Sequence, residues 1–348
     1  MDNHVTTTPA AGGTKRIEYI DALRGFTMFL VVVMHVSGIC FDPPEGSFHD
    51  ILMIVRMPMF FLISGFVFYK AGRVWNMETI VAFLKKKIPV QLLSPLLFYL
   101  VYLHVHNIDL YHGIFDGPKQ GYWFTFVLFE YFMFYIAVSA VFRSKWSDWI
   151  LVIMGLCFYP FSWPAIKDAI PIPNEILDFF SFQHWHYYLF FVLGTLLRKH
   201  FDTVQRWLDS KWLLACCILL FFLEIPFFDL LHINGNITGL PMSLMGLVIL
   251  FSFFRQKRAL FSSETRLGRV FQYTGRRTLD IYLIHFFLIP SGLKEVVTVF
   301  RDHPMPIIEF ATSTVIALLI MAMCLLIGNI IRLSPVLAHW IFGAKKTY

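Results

Sequence analysis

The sequence has little charge for its length. Only 15% of its 348 residues are Asp, Glu, Lys or Arg, whereas a soluble domain carries about a quarter. Hydrophobic residues make up 57% of the chain, the mean hydropathy is +0.64, and the apolar residues form long runs instead of recurring at helical or strand period. This pattern excludes a soluble globular protein and predicts an all-α fold, a polytopic transmembrane helical bundle in a lipid bilayer.

Other features are also missing. The five cysteines lie in or beside apolar runs without the C-x-x-C spacing of a zinc or redox site, so we interpret them as packing residues. The net charge is +6, but no basic face with interleaved aromatic residues accompanies it, so we expect no nucleic-acid partner. No small-residue cleavage site follows the first apolar run, which we therefore expect to remain as an uncleaved anchor.

Apolar runs long enough to cross a bilayer recur along the chain. We predict about ten spans, at residues 17–40, 51–69, 88–105, 122–142, 149–163, 184–198, 212–230, 237–255, 278–297 and 307–331. We expect residues 1–16 to be a disordered cytoplasmic segment, residues 17–335 the transmembrane domain and residues 336–348 a cytoplasmic tail. The basic segment 257–277 has interspersed apolar residues, which is typical of an interfacial helix.

Lysine and arginine concentrate in alternate loops. The other loops contain few lysines or arginines beyond Lys119, Lys167 and Arg301. The positive-inside rule therefore places both termini in the cytoplasm and predicts a multi-pass protein of the cell membrane. The basic set comprises residues 15–16, 70–87, 143–145, 198–211, 255–277 and the tail with Lys345 and Lys346.

The first span contains two polar residues that hydrocarbon does not favour. Arg24 stands near its start and His35 near its end, and a charged side chain at the centre of a membrane helix costs about 2.5–3.5 kcal/mol. Their spacing of eleven positions is about three helical turns and a rise of about 16 Å, so both side chains point to one face at different depths. Either residue alone fits a snorkelling cation or a helix-to-helix hydrogen bond. The pair favours a site, because a histidine can act as general base or acyl carrier and an arginine can hold a phosphate or polarised carbonyl.

Three further polar residues of the spans allow either a structural or a functional interpretation. Glu130 is expected at a depth similar to that of His35, where it could orient and charge-stabilise an imidazolium as the acid of a triad does. A structural hydrogen bond to a neighbouring helix explains Glu130 equally well. Glu224 and Arg56 allow both interpretations too. Arg56 could also simply neutralise one of these acids, and sequence alone does not choose the pairing.

Histidines gather at the outer ends of the spans, but they do not indicate a metal site. The H-x-H pairs at His104/His106 and at His184/His186 are weak metal-binding spacing without a cysteine or a nearby acid, so we predict no metal. Interfacial packing or acceptor binding is the better interpretation. The full set is His49, His104, His106, His112, His184, His186 and His232.

The cytoplasmic cations serve first as determinants of topology. Arg73, Lys85, Lys86 and Lys87 would also suit a polyphosphate ligand.

The chain resembles the acyltransferase-3 family of integral membrane acyltransferases. The family's first span has an arginine followed by ten residues and a histidine, and DALRGFTMFLVVVMH at residues 21–35 matches it. MPMFFLISGF at residues 57–66 is similar to the family's FF-x-x-SG span. Later landmarks follow in order over the rest of the chain, at Trp123-Phe124, at YLFFVLG in residues 188–194 and at TLDIYLIH in residues 278–285.

The resemblance implies an activity and a donor site. Family members transfer an acyl group, often acetyl, from cytoplasmic acyl-CoA to a hydroxyl or amine of a carbohydrate or other acceptor, with Arg24 and His35 at the positions of the essential pair. Two arginines four apart are expected to hold the CoA phosphates in the third span, and here those positions are Lys87 and Gln91. The CoA contacts are therefore expected to differ, with Lys85 and Lys86 taking part.

We therefore expect a membrane O-acyltransferase that moves an acyl group, acetyl foremost, to an envelope carbohydrate or glycolipid. Some relatives have an esterase-like domain after the last span. This chain ends soon after the tenth predicted span, so we expect any second transfer step to need a partner acyl-relay or export protein. A transporter of a polar or acylated small molecule is the rival hypothesis, with Arg24, His35 and Glu130 as its substrate and proton pathway. A non-catalytic assembly partner in polysaccharide export is a third.

Overall fold

The structure is a computed structural model that describes residues 16–41, 48–142, 146–162, 169–230, 235–290 and 305–344, with the backbone alone at 162, 224–230 and 235–238. All regular elements of these residues are helical. The helices are α1 (Glu18–Cys40), α2 (Phe48–Phe68), α3 (Met77–Ile88), α4 (Ser94–Val105), α5 (Leu110–Ile114), α6 (Trp123–Val141), α7 (Trp146–Phe158), α8 (Asn174–Phe179), α9 (Tyr188–Lys199), α10 (Phe201–Leu208), α11 (Lys211–Leu230), α12 (Gly235–Gln256), α13 (Arg266–Arg276), α14 (Thr278–Leu288), α15 (Pro306–Ile331) and α16 (Pro335–Phe342).

Several sequence-based expectations fall outside the described residues. They concern the disordered segment before residue 16, the end of the ninth span beyond residue 290, the side chain of Glu224, His232, the loop cations Lys15, Arg143, Lys145, Lys167 and Arg301, and the tail lysines Lys345 and Lys346.

Six described helices are long and apolar enough to cross a membrane, namely Glu18–Cys40, Phe48–Phe68, Met77–Val105, Trp123–Val141, Gly239–Gln256 and Pro306–Ile331. The all-α polytopic fold is thereby confirmed, whereas the count of ten spans and the cytoplasmic termini stay predictions. The apolar helices Trp146–Phe161, Lys211–Leu223 and Thr278–Leu288 are shorter. The expected sixth span begins as a 3₁₀ segment, Phe182–Tyr187, so that only α9 continues it as α-helix.

The third span is one long helix with an irregular centre. Its start is fixed by a capping box, in which Asn76 accepts from the backbone of Thr79 and Thr79 accepts from that of Asn76. A π-helical turn, Pro89–Leu93, then joins α3 to α4. Proline has no backbone N–H and clashes with the carbonyl four residues earlier, so Pro89 prevents a regular α-helix here.

Proline also shapes α2, and a neighbouring helix compensates for it. Pro58 lies inside α2 and cannot donate to the carbonyl of Ile54. Ser243 of α12 donates its hydroxyl to that carbonyl across 2.8 Å. The freed acceptor is therefore satisfied within the bundle, as hydrocarbon requires.

Two pairs of helices approach so closely that only glycine fits between them. In α2 and α9, a methyl group on Gly65 would overlap the carbonyl oxygen of Phe191, and one on Gly194 would overlap that of Leu62. In α1 and α13, Gly25 and Gly275 face each other in the same way. Small residues give membrane helices the close van der Waals packing that holds them together.

We expect Gly65→Ala to lower the thermal unfolding temperature of the detergent-solubilised protein, because the added methyl pushes α2 away from α9 and overpacking costs about 1–3 kcal/mol. Ala137→Val adds volume on an exposed face of α6 and should leave the unfolding temperature near that of the native protein. Equal unfolding temperatures for Gly65→Ala and the native chain would contradict the close packing of these helices.

Candidate active site

The polar residues of the first span share one cavity of about 390 Å³. Arg24, Met28, Val31 and His35 line it from α1. Their spacings of four, three and four positions keep them on one face of the helix. The structure therefore brings Arg24 and His35 together in a single internal space at different depths.

One end of this cavity is strongly basic. Lys70 and Arg73 follow the end of α2, and Lys86 and Lys87 lie in the last turn of α3. Arg24 lies near the same end, and no Asp or Glu of the described residues lines the cavity. An elongated internal space with clustered cations at its mouth suits a ligand that carries several phosphates at one end.

The lysine triplet divides into members that face the cavity and one that does not. Lys86 and Lys87 line it, and Lys87 Nζ lies 5.0 Å from the ring centre of Phe132. Gln91 is buried in the π-helical turn and lines the cavity as well. Lys85 is exposed and is not among the lining residues. Four of the five residues predicted to bind the donor, Arg73, Lys86, Lys87 and Gln91, thus meet in one place.

Arg24 is available to a ligand in this cavity. The nearby carboxylate of Asp21 is paired with Arg16, whose Nε lies 2.7 Å from Oδ2. In the described part of the chain Arg24 has no ion pair or hydrogen bond of its own.

His35 pairs with a second histidine. Its Nδ1 lies 3.0 Å from Nε2 of His285 in α14. The ring centres are 5.2 Å apart with an angle of 15° between the planes, so the rings meet end to end in nearly one plane, as a direct hydrogen bond requires. Sequence reasoning missed His285 as a site residue, although TLDIYLIH contains it, because nothing local connects positions 250 residues apart.

The surroundings of His285 determine which nitrogens carry protons. Its Nδ1 lies 2.9 Å from the carbonyl oxygen of Ile281 and 3.0 Å from that of Tyr282. Carbonyl oxygens only accept, so this nitrogen donates, and Nε2 of the neutral ring must accept. His35 therefore donates from Nδ1, and its Nε2 is the unprotonated, basic nitrogen at the cavity.

Glu130 contacts Trp185 and not His35, the partner considered for it from the sequence. Its Oε2 accepts from the indole Nε1 of Trp185 across 2.9 Å, and Glu130 is not among the residues that line the cavity. Nearby, Lys119 is buried and donates to the carbonyl oxygens of Asp116 and Asp178. Burial lowers the pKa of Lys119, while the carbonyl contacts fit its protonated form. These contacts match the structural interpretation of Glu130, and His285 stands where an orienting acid was considered.

The outer histidines have scattered partners. His184 lies flat against Trp123 with ring centres 3.6 Å apart, His106 stacks on Tyr102, and His112 contacts Asp109. Within the described ranges no three His, Cys, Asp or Glu side chains converge in a way that could hold a metal ion.

A polytopic helical protein with a basic cavity that leads to a hydrogen-bonded histidine pair has the parts needed for group transfer inside a membrane. The profile of the family Acyl_transf_3, described as an acyltransferase domain, matches residues 17–327. The chain therefore belongs to the acyltransferase-3 family of membrane acyltransferases. Searches of curated proteins and of solved structures find no match.

We expect His285→Phe to slow acyl transfer by at least about tenfold, up to the roughly 10⁴-fold that loss of the orienting residue costs in a serine-protease triad. The phenyl ring keeps the packing but cannot accept from His35 Nδ1, so the basic nitrogen is no longer fixed. The rate is measured with purified protein across a range of pH, since the variant should also change the pH profile. His106→Phe, an exposed ring outside the cavity, is the control. A native rate and pH profile for His285→Phe would rule out the orienting role.

Proposed function

We propose that the protein transfers an acyl group, acetyl foremost, from acyl-CoA to a hydroxyl of an envelope carbohydrate or glycolipid. The observation that carries this proposal is the single cavity that joins a cluster of cations to the basic nitrogen of His35. Family membership supports the reaction class. The donor and the acceptor are inferred from the chemistry of the cavity and from the resemblance.

The basic end suits the nucleotide of CoA. Lys70, Arg73, Lys86 and Lys87 provide four positive charges, and no carboxylate of the described residues lies in the lining. CoA carries a diphosphate and a further phosphate on its ribose. Arginine and lysine form charge-assisted hydrogen bonds with phosphate oxygens. Lysine and glutamine at positions 87 and 91 are compatible with this role, because Arg73 and Lys86 supply further donors at the same end.

The length of the cavity suits the rest of the donor. Arg24 and His35 are separated by a rise of about 16 Å along α1, a distance that the extended pantetheine arm can bridge between its phosphates and its thioester. The apolar wall from Met28, Phe60 and Phe132 fits this mostly uncharged arm. The thioester would then lie beside His35, and Gly121 and Trp123 at the opposite end of the cavity would admit the acceptor.

The reaction follows from the protonation of the histidine pair. His35 Nε2 accepts the proton of the acceptor hydroxyl while the hydroxyl oxygen attacks the thioester carbon. His285 keeps accepting the hydrogen bond from His35 Nδ1 and so fixes the orientation of the His35 ring. The same proton then passes to the thiolate that leaves when the C–S bond breaks, so His35 returns to its neutral state within one turnover.

The charge pattern of the loops gives the proposal a direction. If the basic loops face the cytoplasm, acyl-CoA enters from the cytoplasm and the acceptor is modified from the outer side of the cell membrane. His35 lies farther from the basic end than Arg24, which agrees with transfer in this direction.

We expect His35→Ala to remove ester from the envelope, because general-base action contributes about 10²–10⁴ in rate. O-acetyl content is measured in the envelope polysaccharides of cells that lack the protein and are complemented with either the native chain or the variant. Immunoblotting of membranes controls for the amount of protein. Restoration of ester by His35→Ala would refute the assignment. Ester that is unchanged without the protein, for acetyl and succinyl in polysaccharides and lipids alike, would favour a transporter.

We expect Lys87→Gln to weaken the binding of CoA by about 10- to 100-fold, since a hydrogen bond to a charged group contributes about 1.5–3 kcal/mol. Binding is measured by calorimetry on the detergent-solubilised protein. Lys85→Gln is a matched control two positions away, because it removes the same charge from a side chain outside the cavity. If both variants weaken binding equally, net charge rather than the cavity holds the donor.

A further inference from the structure

Arg56 is a buried cation with almost no partner. The residue is only 7% exposed, and its one hydrogen bond in the described residues joins Nη2 to the sulfur of Met53 at 3.2 Å. Nε is buried with no partner there. A thioether is a weak acceptor, so the described residues leave most of the hydrogen-bonding capacity of this guanidinium unused.

Another buried arginine of the protein is engaged differently. Arg255 is 8% exposed, and it donates to Asp209 across 2.8 Å and to Gln205 across 3.2 Å. A buried charge is costly unless it is paired, and Arg255 follows this rule with residues of its own chain. Arg56 has no such partner among the described residues and lines the cavity, so we look for its partner among the substrates.

The packing of α1 against α2 gives the depth of Arg56. The ring of His49 lies against Gly38. Counting seven positions back from Gly38 to Val31 and seven on from His49 to Arg56, along helices that run in opposite directions, we infer that Arg56 lies near the level of Val31. Val31 is one helical turn, about 6 Å, from His35 on the side of Arg24. Arg56 therefore lies between the cations at the mouth and the basic nitrogen of His35.

This position does not match the phosphates of the donor. The four cations Lys70, Arg73, Lys86 and Lys87 already stand at the far, basic end of the cavity, and Arg56 lies near the other end of a pantetheine arm that has no charge. The group of acyl-CoA expected at this depth is the thioester itself. Its carbonyl oxygen is the atom that becomes negative during acyl transfer.

We propose that Arg56 donates hydrogen bonds to the thioester carbonyl oxygen and stabilises the oxyanion of the tetrahedral intermediate. This rests on the proposed function. As the acceptor oxygen bonds to the carbonyl carbon, its proton goes to His35 Nε2 and the carbonyl π pair moves onto the oxygen facing Arg56. The pair then reforms the carbonyl, the C–S bond breaks, and the thiolate takes the proton from His35. Donors fixed where charge develops are among the largest contributors to such reactions.

The test uses the full chain with acetyl-CoA and follows release of the CoA thiol. It is run with envelope polysaccharide from cells that lack the protein as acceptor, and without it, where water takes the acyl group. Both reactions pass through a tetrahedral intermediate whose negative charge lies on the former thioester carbonyl oxygen. Arg56→Gln should slow both by about 10²–10³, with CoA affinity close to native. Arg56→Lys keeps the charge but not the forked geometry. It should recover part of both rates, and it keeps the test open if Arg56→Gln unfolds.

Other outcomes would overturn the proposal in recognisable ways. If Arg56→Gln loses transfer but hydrolyses acetyl-CoA at the native rate, Arg56 binds an anionic acceptor. If the variant loses only the turnover of succinyl-CoA, Arg56 binds a charged acyl group. If the CoA affinity of the variant falls while its turnover rate is unchanged, Arg56 binds phosphate. Lys119→Gln, which removes a buried cation outside the cavity, should lower thermal stability without slowing chemistry. Native protein that neither binds CoA nor releases its thiol would overturn the proposed function itself, and this inference with it.

Discussion

The cost of exposing charge to hydrocarbon organises this protein. Apolar helices can pack in many ways, but Arg24, Arg56 and His35 must all turn toward the interior. α1 and α2 satisfy this condition by presenting their polar residues to a common space, and glycines on their other faces bring α9 and α13 close. The positions of the cavity and of the close helix contacts thus follow from one energetic requirement.

The same requirement separates two kinds of buried polar residue. Asp280 is 1% exposed and is held by Arg332, in contacts of 2.7 and 2.9 Å, and by Arg277. Ser37 donates to Glu309 across 2.7 Å. Such groups satisfy one another and join α1 and α14 to α15. Among the described residues Arg24 and Arg56 have no partners of this kind, and both line the cavity. Here the buried polar groups that pair with one another hold helices together, whereas the two arginines without a partner among the described residues line the candidate site.

The sequence predicted what depends on local periodicity. The all-helical membrane fold, the family and the shared face of Arg24 and His35 follow from apolar runs, motifs and the helical repeat. Contacts across the bundle do not follow from these signals: His285 meets His35, while Glu130 meets Trp185. The lysine triplet shows the same limit, because the rotation of α3 decides that Lys86 and Lys87 face inward and Lys85 outward. Counting apolar runs in the sequence gave about ten spans. The described helices differ in length, however, and only the longer apolar ones are long enough to be recognised as spans.

The π-helical turn at Pro89–Leu93 divides the third span into two halves. A π turn places one extra residue in the helix, so the faces of α3 and α4 are not in phase. Lys86 and Lys87 lie before the turn, at the basic end. After it, Tyr99 donates its hydroxyl to the carbonyl of Gly113 across 2.8 Å, near the opposite end. The lysines proposed to bind the donor and the residues that pack at the other end of the cavity thus lie on opposite sides of this irregular turn. A chimera that exchanges the proposed donor end would therefore be joined at Pro89, where the regular α-helix is already interrupted.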